Sequence, residues 1–324
     1  MNEFELIDRF FARAPRSRSV VLGVGDDAAL LAPTPGHELV VSVDMLVGGR
    51  HFFADVDVES LGHKTLAVNV SDIAAMGATP RWALLAGALP DNDPAWLAAF
   101  ARGFFALADA HQIDLVGGDT TRGPLNLCVT IMGEVPAATA ITRGGARAGD
   151  DVYVSGWLGD AALAVAARTG RMALDADALA VCQARLDWPT PRVALGQALR
   201  GVATAMLDVS DGLTGDLAHI LERSDVGAVV DVAAVPHSPI MAEALAGAER
   251  GVALDCLLAG GDDYELCFTA APATADKVAA IAAQTGLPVT RIGAITAGGG
   301  LVLRRPDGGG MPLPRAFDHF ATTP

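Results

Sequence analysis

The sequence predicts a two-domain protein of mixed α/β and α+β class, on three observations. At 324 residues the chain is too long for one ordinary small domain and long enough for two, each with its own core. In its first half, apolar runs of strand length alternate with amphipathic helical stretches. That alternation then breaks at a loop rich in Gly and Arg, Arg143-Gly-Gly-Ala-Arg-Ala-Gly-Asp150, beyond which strands and helices follow in a less regular order. The predicted domains are residues 1–140 and 149–324.

The elements follow in chain order. Met1 to Ile7 begins a capped helix with Phe4, Ile7 and Phe11 on one face. Strands are expected at Val20 to Val24, Leu39 to Val43, Trp82 to Leu89, Asp114 to Val116 and Leu125 to Val135, with helices at Ser60 to Met76 and Pro94 to Ala110. In the second half a strand at Val152 to Ser155 leads to helices around Asp160 to Arg168, Ala176 to Leu186 and Arg192 to Leu199. A strand at Ala203 to Leu207 and a helix from Leu213 to Glu222 follow. Further strands are expected at Ala228 to Val232, Tyr264 to Thr269, Val289 to Ala294 and Leu301 to Leu303, and an irregular C-terminal segment after Gly308.

Charge narrows the function. The formal net charge is −15, and Lys64 and Lys277 are the only lysines, so most of the surface repels nucleic acid and anionic membrane. No apolar run approaches the ~20 residues that span a bilayer, and the acidic N-terminus is unlike a signal peptide, so a cytoplasmic protein is expected. Cys128, Cys182, Cys256 and Cys267 form no CxxC pair and read as reduced, mostly buried thiols.

The aspartates carry the chemical signal. Asp26 and Asp27 follow the first strand, Asp44 ends the second, Asp72 lies late in a helix and Asp119 follows the Leu115-Val116 run. In open α/β sheets ligands collect beyond the carboxyl ends of strands, so Asp27, Asp44 and Asp119 are expected to converge, with Asp208 and Asp211 placed likewise in the second half. Each aspartate taken singly also suits a turn or a helix cap. Together, clustered carboxylates repel one another unless cations neutralise them, and Mg2+ binds through a few carboxylates plus substrate phosphates. Gly23-Val-Gly-Asp-Asp27, Gly117-Gly-Asp-Thr-Thr121 and Gly260-Gly-Asp-Asp263 each set an unhindered backbone beside a carboxylate, as close approach of phosphate requires. No P-loop, protein-kinase, GxSxG, HExxH or zinc-ribbon motif is present.

The motifs Val24-Gly-Asp-Asp-Ala28, Ser42-Val-Asp44, His51-Phe52, Asn69-Val-Ser-Asp-Ile-Ala-Ala-Met-Gly-Ala78, Gly117-Gly-Asp-Thr-Thr-Arg-Gly-Pro124, Asp208-Val-Ser-Asp-Gly-Leu213, Gly260-Gly-Asp-Asp-Tyr-Glu-Leu266 and Phe317-Asp-His-Phe320 occur in order along nearly the whole chain. Together they resemble the thiamine-monophosphate kinase family, within the aminoimidazole-ribotide synthetase-like superfamily. The resemblance implies a two-domain fold with N-terminal sheets pairing in a homodimer, and transfer of the γ-phosphoryl group of ATP to thiamine monophosphate. It implies that Asp27, Ser42, Asp44, Asp72, Asp119, Asp208 and Asp211 hold several Mg2+ ions. Gly118, Asp119, Arg143 and Ser210 would meet ATP, and His51, Asp262 and Phe317 the thiamine phosphate; no covalent intermediate is implied. Val43 stands where the family often has a hydroxyl residue, and Asp262 where glutamate is common.

Read from the residues alone, His51 suits a structural histidine, Arg143 a solvated loop charge and Phe317 a packing anchor. Two alternatives to the kinase are another ATP-using member of the superfamily and a non-catalytic acidic metal-binding protein. The second predicts spaced DxDxDG loops, which the chain lacks.

Overall fold

The structure is a computed structural model that describes residues 2–314, so Phe317 lies outside the described residues. The chain divides into two compact units: one comprises residues up to Ala74 with Ala78–Ala140, the other Ala75–Gly77 with residues from Ile141 onward.

The first unit contains α1 (Glu3–Phe10), β1 (Val20–Leu22), β2 (Leu30–Leu31), β3 (His37–Val47), α2 (Val58–Ala75), β4 (Thr79–Leu89), α3 (Pro94–His111), β5 (Asp114–Arg122) and β6 (Asn126–Pro136). A reciprocal capping box starts α1: the Asn2 side chain accepts from the Glu5 amide and the Glu5 carboxylate accepts from the Asn2 amide. Leu6 is the residue this helix buries; Ile7 and Phe11 are half-buried, with Phe11 packed edge-on against Phe100, while Phe4 is exposed and departs from the expected face.

The sheet of this unit has the order β3-β6-β4-β5. Only β4 and β5 run parallel, joined by a crossover through α3; β6 is antiparallel to both of its neighbours. Alternate residues of β6, Leu127, Val129, Ile131 and Val135, are buried, and Ile73 of α2 packs closely over Gly133 on the same face. Two glycines set how closely α2 and α3 meet. A Cβ at Gly62 would lie 2.0 Å from the Phe100 carbonyl oxygen, and one at Gly103 would lie 1.7 Å from that of Glu59, so any side chain would push the helices apart. On the opposite face of the sheet, the short β1–β2 pair packs Val20 and Leu31 against Trp82, Val116 and Met132. Along β3, however, Leu39, Val41, Val43 and Met45 stay exposed.

The second unit contains β7 (Asp151–Ser155), α4 (Asp160–Arg168), α5 (Ala176–Asp187), α6 (Val193–Ala198), β8 (Ala203–Val209), α7 (Leu213–Ser224), β9 (Gly227–Asp231), α8 (Pro239–Ala246), α9 (Arg250–Ala259), β10 (Glu265–Ala270), α10 (Ala275–Thr285), β11 (Val289–Thr296), β12 (Gly300–Arg304) and β13 (Gly310–Met311). Its sheet runs β13-β12-β9-β11-β7-β10-β8, antiparallel except between β9 and β12. Every residue of β7 and β10 is buried, as expected of central strands covered on both faces. Tyr153 stacks on Phe268 at 5.2 Å, within a core that includes Leu195, Leu199, Met206 and Leu266. Helices α8, α9 and α10 were not expected from the sequence; α8 and α9 lack a clean apolar stripe. The segment after Gly308 is not wholly irregular, because β13 pairs Met311 with Leu303.

Buried Glu134 on β6 fastens the chain ahead of β3. Its carboxylate accepts from the Thr34 amide (2.5 Å), the Thr34 hydroxyl (2.9 Å) and Arg81 Nε (3.2 Å). Burial raises the pKa of this carboxyl, but the Thr34 hydrogen bonds and the Arg81 charge outweigh it, leaving the value below the ordinary glutamate range. The folded state thus favours the ionised form, so the stabilisation is present above that range and is lost as pH falls through the lower folded value. Glu134→Gln should therefore lower stability at neutral pH and flatten the acid limb of a pH series of urea midpoints; an unchanged acid limb would assign that loss to other carboxylates.

Candidate functional site

In the first unit, a latch between β3 and α2 gathers the predicted residues Ser42, Asp44 and Asp72. The Ser42 hydroxyl donates to Asp72 Oδ2, and the Asp44 amide donates to Asn69 Oδ1 at 3.0 Å. Asn69 is itself held inside α2 by donating Nδ2 to the Thr65 carbonyl at 3.1 Å. Ser42 and Asp44, two residues apart, lie on the more protected side of β3 towards α2, as strand alternation requires. Asn69 and Asp72, three apart on α2, share a helix face. Asn69 was not singled out from the sequence, although the motif that contains it was.

The strands extend further than expected, and this changes where two aspartates stand. Asp44 lies inside β3 and Asp119 inside β5, because ladder pairing continues through both positions. A single cross-sheet row runs Asp44, Val129, Leu85, Gly118, one residue from Asp119. With β3 and β5 on opposite edges, that row spans three strand spacings, roughly 14 Å in a flat sheet. The largely antiparallel order also supplies no single row of carboxyl ends on which Asp27, Asp44 and Asp119 would converge. Asp27 is exposed in the segment between β1 and β2, its amide donating to Asp26 Oδ1 at 2.8 Å. At Gly118 the neighbouring strand passes so closely that a Cβ would lie 1.8 Å from the Leu85 carbonyl oxygen, so glycine is required there. His51, in the turn after β3, accepts the Val47 amide on Nδ1 at 3.0 Å, which places the ring hydrogen on Nε2.

In the second unit, Asp208 lies within β8, opposite Leu266, and is buried rather than following the strand. Ser210 and Asp211 form the turn into α7, and both of their amides donate to Asp216 Oδ2 at 3.0 Å. Asp216 belongs to the first turn of α7, where a carboxylate also suits the helix dipole. Burial pushes its pKa up to about 7; the nearby Asp211 charge adds to that rise, while the two hydrogen bonds and Arg143 oppose it. Arg143 is therefore close enough to act on this turn, and its carbonyl accepts from the Ser224 hydroxyl at 3.3 Å. Asp262 joins the same region, its amide donating to the Ser210 carbonyl at 2.9 Å. Sequence reasoning missed Asp216; the signal available was a carboxylate five residues after Asp211, inside the helix that the turn begins.

The donors in these two groups are hard oxygens, which fits Mg2+. Among the described residues, no group of three or more His, Cys, Asp and Glu side chains could hold a metal ion by itself. One or two carboxylates with a hydroxyl fit an ion that also takes substrate phosphate oxygens, not an all-protein cage.

Residues 25–135 match the AIR synthase related protein N-terminal domain and residues 147–305 its C-terminal domain. The class of protein defined by fold and site is thus that of the two-domain AIR synthase related proteins. The thiamine-monophosphate kinase of Salmonella typhimurium is 45% identical over 327 residues, covering 99% of this chain and 98% of that protein. A crystal structure of thiamine-monophosphate kinase from Stenotrophomonas maltophilia has TM-score 0.87 and 48% identity, covering 96% of this chain and 98% of its own. A structure of AaThiL complexed with AMPPCP and TMP has TM-score 0.77 and 28% identity, covering 98% and 97%. The chain belongs to the thiamine-monophosphate kinase family.

The paired hydrogen bonds of Asp216 lead to a direct expectation. Asp216→Ala should speed amide exchange at Ser210 and Asp211 about tenfold, since each lost bond is worth ~1 kcal/mol or more. Asp216→Asn keeps an acceptor oxygen and should restore much of the protection; equal exchange in all three proteins would show that the turn holds itself.

Proposed function

We propose that this protein transfers the γ-phosphoryl group of ATP directly to thiamine monophosphate, giving thiamine diphosphate and ADP. The observation that carries the reading is the likeness over the full chain to thiamine-monophosphate kinases, together with an AaThiL structure complexed with AMPPCP and TMP. Both reactants carry phosphate groups, and the chain itself is strongly acidic. Several Mg2+ ions would supply charge neutralisation and alignment, the main requirements of phosphoryl transfer. Asp27, Ser42, Asp44, Asp72, Asp119, Asp208 and Asp211 are the proposed ligands.

In this reading the bare backbone of Gly118, with Asp119, Arg143 and Ser210, meets the nucleotide. Arg143 supplies fixed positive charge beside the Ser210 turn, whose amides Asp216 orients. His51, Asp262 and Phe317 meet the acceptor. No side chain is assigned as a covalent nucleophile. A cytoplasmic site of action belongs to the same proposal; no helix among the described residues is long and apolar enough to cross a membrane.

The exposed apolar row Leu39, Val41, Val43 and Met45 supports a homodimer formed through the N-terminal sheets. Val43→Asp would put a charge in that interface and should halve the mass seen by light scattering. A monomeric wild-type protein would remove the dimer from the proposal.

Purified protein with Mg-ATP should convert thiamine monophosphate to thiamine diphosphate with matching ADP, and should leave free thiamine unphosphorylated, because the acceptor phosphate shares the bridging cations. Asp44→Asn and Asp72→Asn should each lower kcat by about 100-fold or more and shift the Mg2+ dependence, with the unfolding midpoint little changed. Equal turnover of free thiamine would overturn the acceptor assignment, and near-normal kcat in either variant would make that aspartate structural.

A further inference from the structure

The segment Gly260 to Glu265 has an unusual backbone. Asp262 and Tyr264 both adopt left-handed conformations, with φ of +70° and +52°. Neither is glycine, and an aromatic residue in this region is an outlier that surrounding contacts must enforce. Those contacts are present. The Asp262 amide donates to the Ser210 carbonyl at 2.9 Å and the Tyr264 amide to the Val209 carbonyl at 2.8 Å. Between them, buried Asp263 accepts the Gly159 amide on both carboxylate oxygens at 2.9 Å. Just beyond, fully buried Glu265 accepts from Arg185 at 3.1 Å and from Arg192 Nε at 2.7 Å. Two inward carboxylates therefore anchor a strained turn that holds Asp262 half-buried.

The turn brings a phenol onto a carboxylate. In extended backbone, side chains at i and i+2 stand parallel, and a tyrosine hydroxyl projects well past a short aspartate. Here the two left-handed residues fold the ring back, and the Tyr264 hydroxyl donates to Asp262 Oδ1 at 3.0 Å. That bond holds the Oδ1 atom of the carboxylate. A carboxylate fixed in this way opposes a phosphate and favours a cation. Thiamine monophosphate carries both, a phosphate ester on a two-carbon arm and the permanently cationic thiazolium ring that bears this arm.

We infer that Tyr264 is a positioning residue that aims the Asp262 carboxylate at the cationic ring of the acceptor, making this pair a charge-selective element of acceptor recognition. The inference rests on the kinase reading above and assigns to Asp262 the thiazolium ring of the acceptor, not its phosphate group.

The test is steady-state kinetics on wild type, Tyr264→Phe and Asp262→Asn, with two acceptors: thiamine monophosphate and an analogue whose thiazolium is replaced by a neutral thiophene. Asp262→Asn should raise KM for thiamine monophosphate about tenfold and Tyr264→Phe about fourfold, with kcat and KM for ATP changed less than about twofold. With the neutral analogue, both variants should match wild type. Tyr264→Phe keeps the buried ring, so its unfolding midpoint should hold; if it does not fold, Asp262→Asn carries the comparison. Unmoved KM values, equal rises for both acceptors, or a parallel rise in KM for ATP would each overturn the inference while leaving the kinase reading intact. Absence of thiamine diphosphate formation by the wild type would overturn both.

Discussion

The hydrogen bonds between Ser42 and Asp72, and between the Asp44 amide and Asn69, join an edge strand to the helix that covers it. Much of the first unit depends on this latch being in register. Moving β3 by one residue would turn Ser42 and Asp44 outward and bring the apolar row Val41, Val43 and Met45 against α2. The register is secured from both sides: β3 pairs with β6 along its whole length, and α2 is seated by Ile73 over Gly133 and by the glycine contacts with α3. A polar group of four residues is thus held by contacts that are themselves almost entirely apolar or backbone.

A second constraint follows from the chain's charge. With few lysines, most carboxylates have no nearby ammonium group, and several of those the fold uses are held by main-chain amides. Asp216 takes the amides of Ser210 and Asp211, Asp263 takes that of Gly159, and Asp114 takes those of Arg16 and Ser17. Backbone donors add hydrogen bonds without adding net charge, so these carboxylates shape loops while the surroundings stay acidic. Burial pushes the Asp263 carboxyl well above the ordinary aspartate range and Asp216 to about 7, despite those bonds. Arginine is used where a buried carboxylate needs full compensation, as at Glu265 with Arg185 and Arg192.

The two units reach their polar groups by different local means. The first builds its group on a strand and a helix, elements whose side-chain directions are fixed by backbone periodicity. The second builds on turns: the entry to α7, and the Gly260 to Tyr264 segment laid against it through the Ser210 and Val209 carbonyls. Turns of this kind reach positions that regular elements cannot, at the expense of strained residues such as Asp262 and Tyr264. Rigid scaffolds carrying functional turns are a common arrangement, because loops alone rarely hold a carboxylate still.

The mixed α and β class, the places of most strands, and the family motifs that contain Ser42, Asp44, Asp72, Ser210, Asp211 and Asp262 were legible in the amino-acid sequence. Periodicity and Gly-Asp spacing are local signals, and they survive without knowledge of the fold. Other features were decided only by tertiary structure. Asp44 and Asp119 became strand residues because neighbouring strands supply ladder partners beyond the apolar runs that mark strands locally. Helices α8 and α9 form from stretches that show no clear stripe in the sequence. The roles of Asn69 and Asp216, and the turn of Tyr264 onto Asp262, arise from hydrogen bonds between groups whose meeting depends on how elements pack. Residue type and spacing determine which chemistry is available; packing decides which of those groups meet, because a hydrogen bond exists only within about 3 Å and local sequence does not specify that distance.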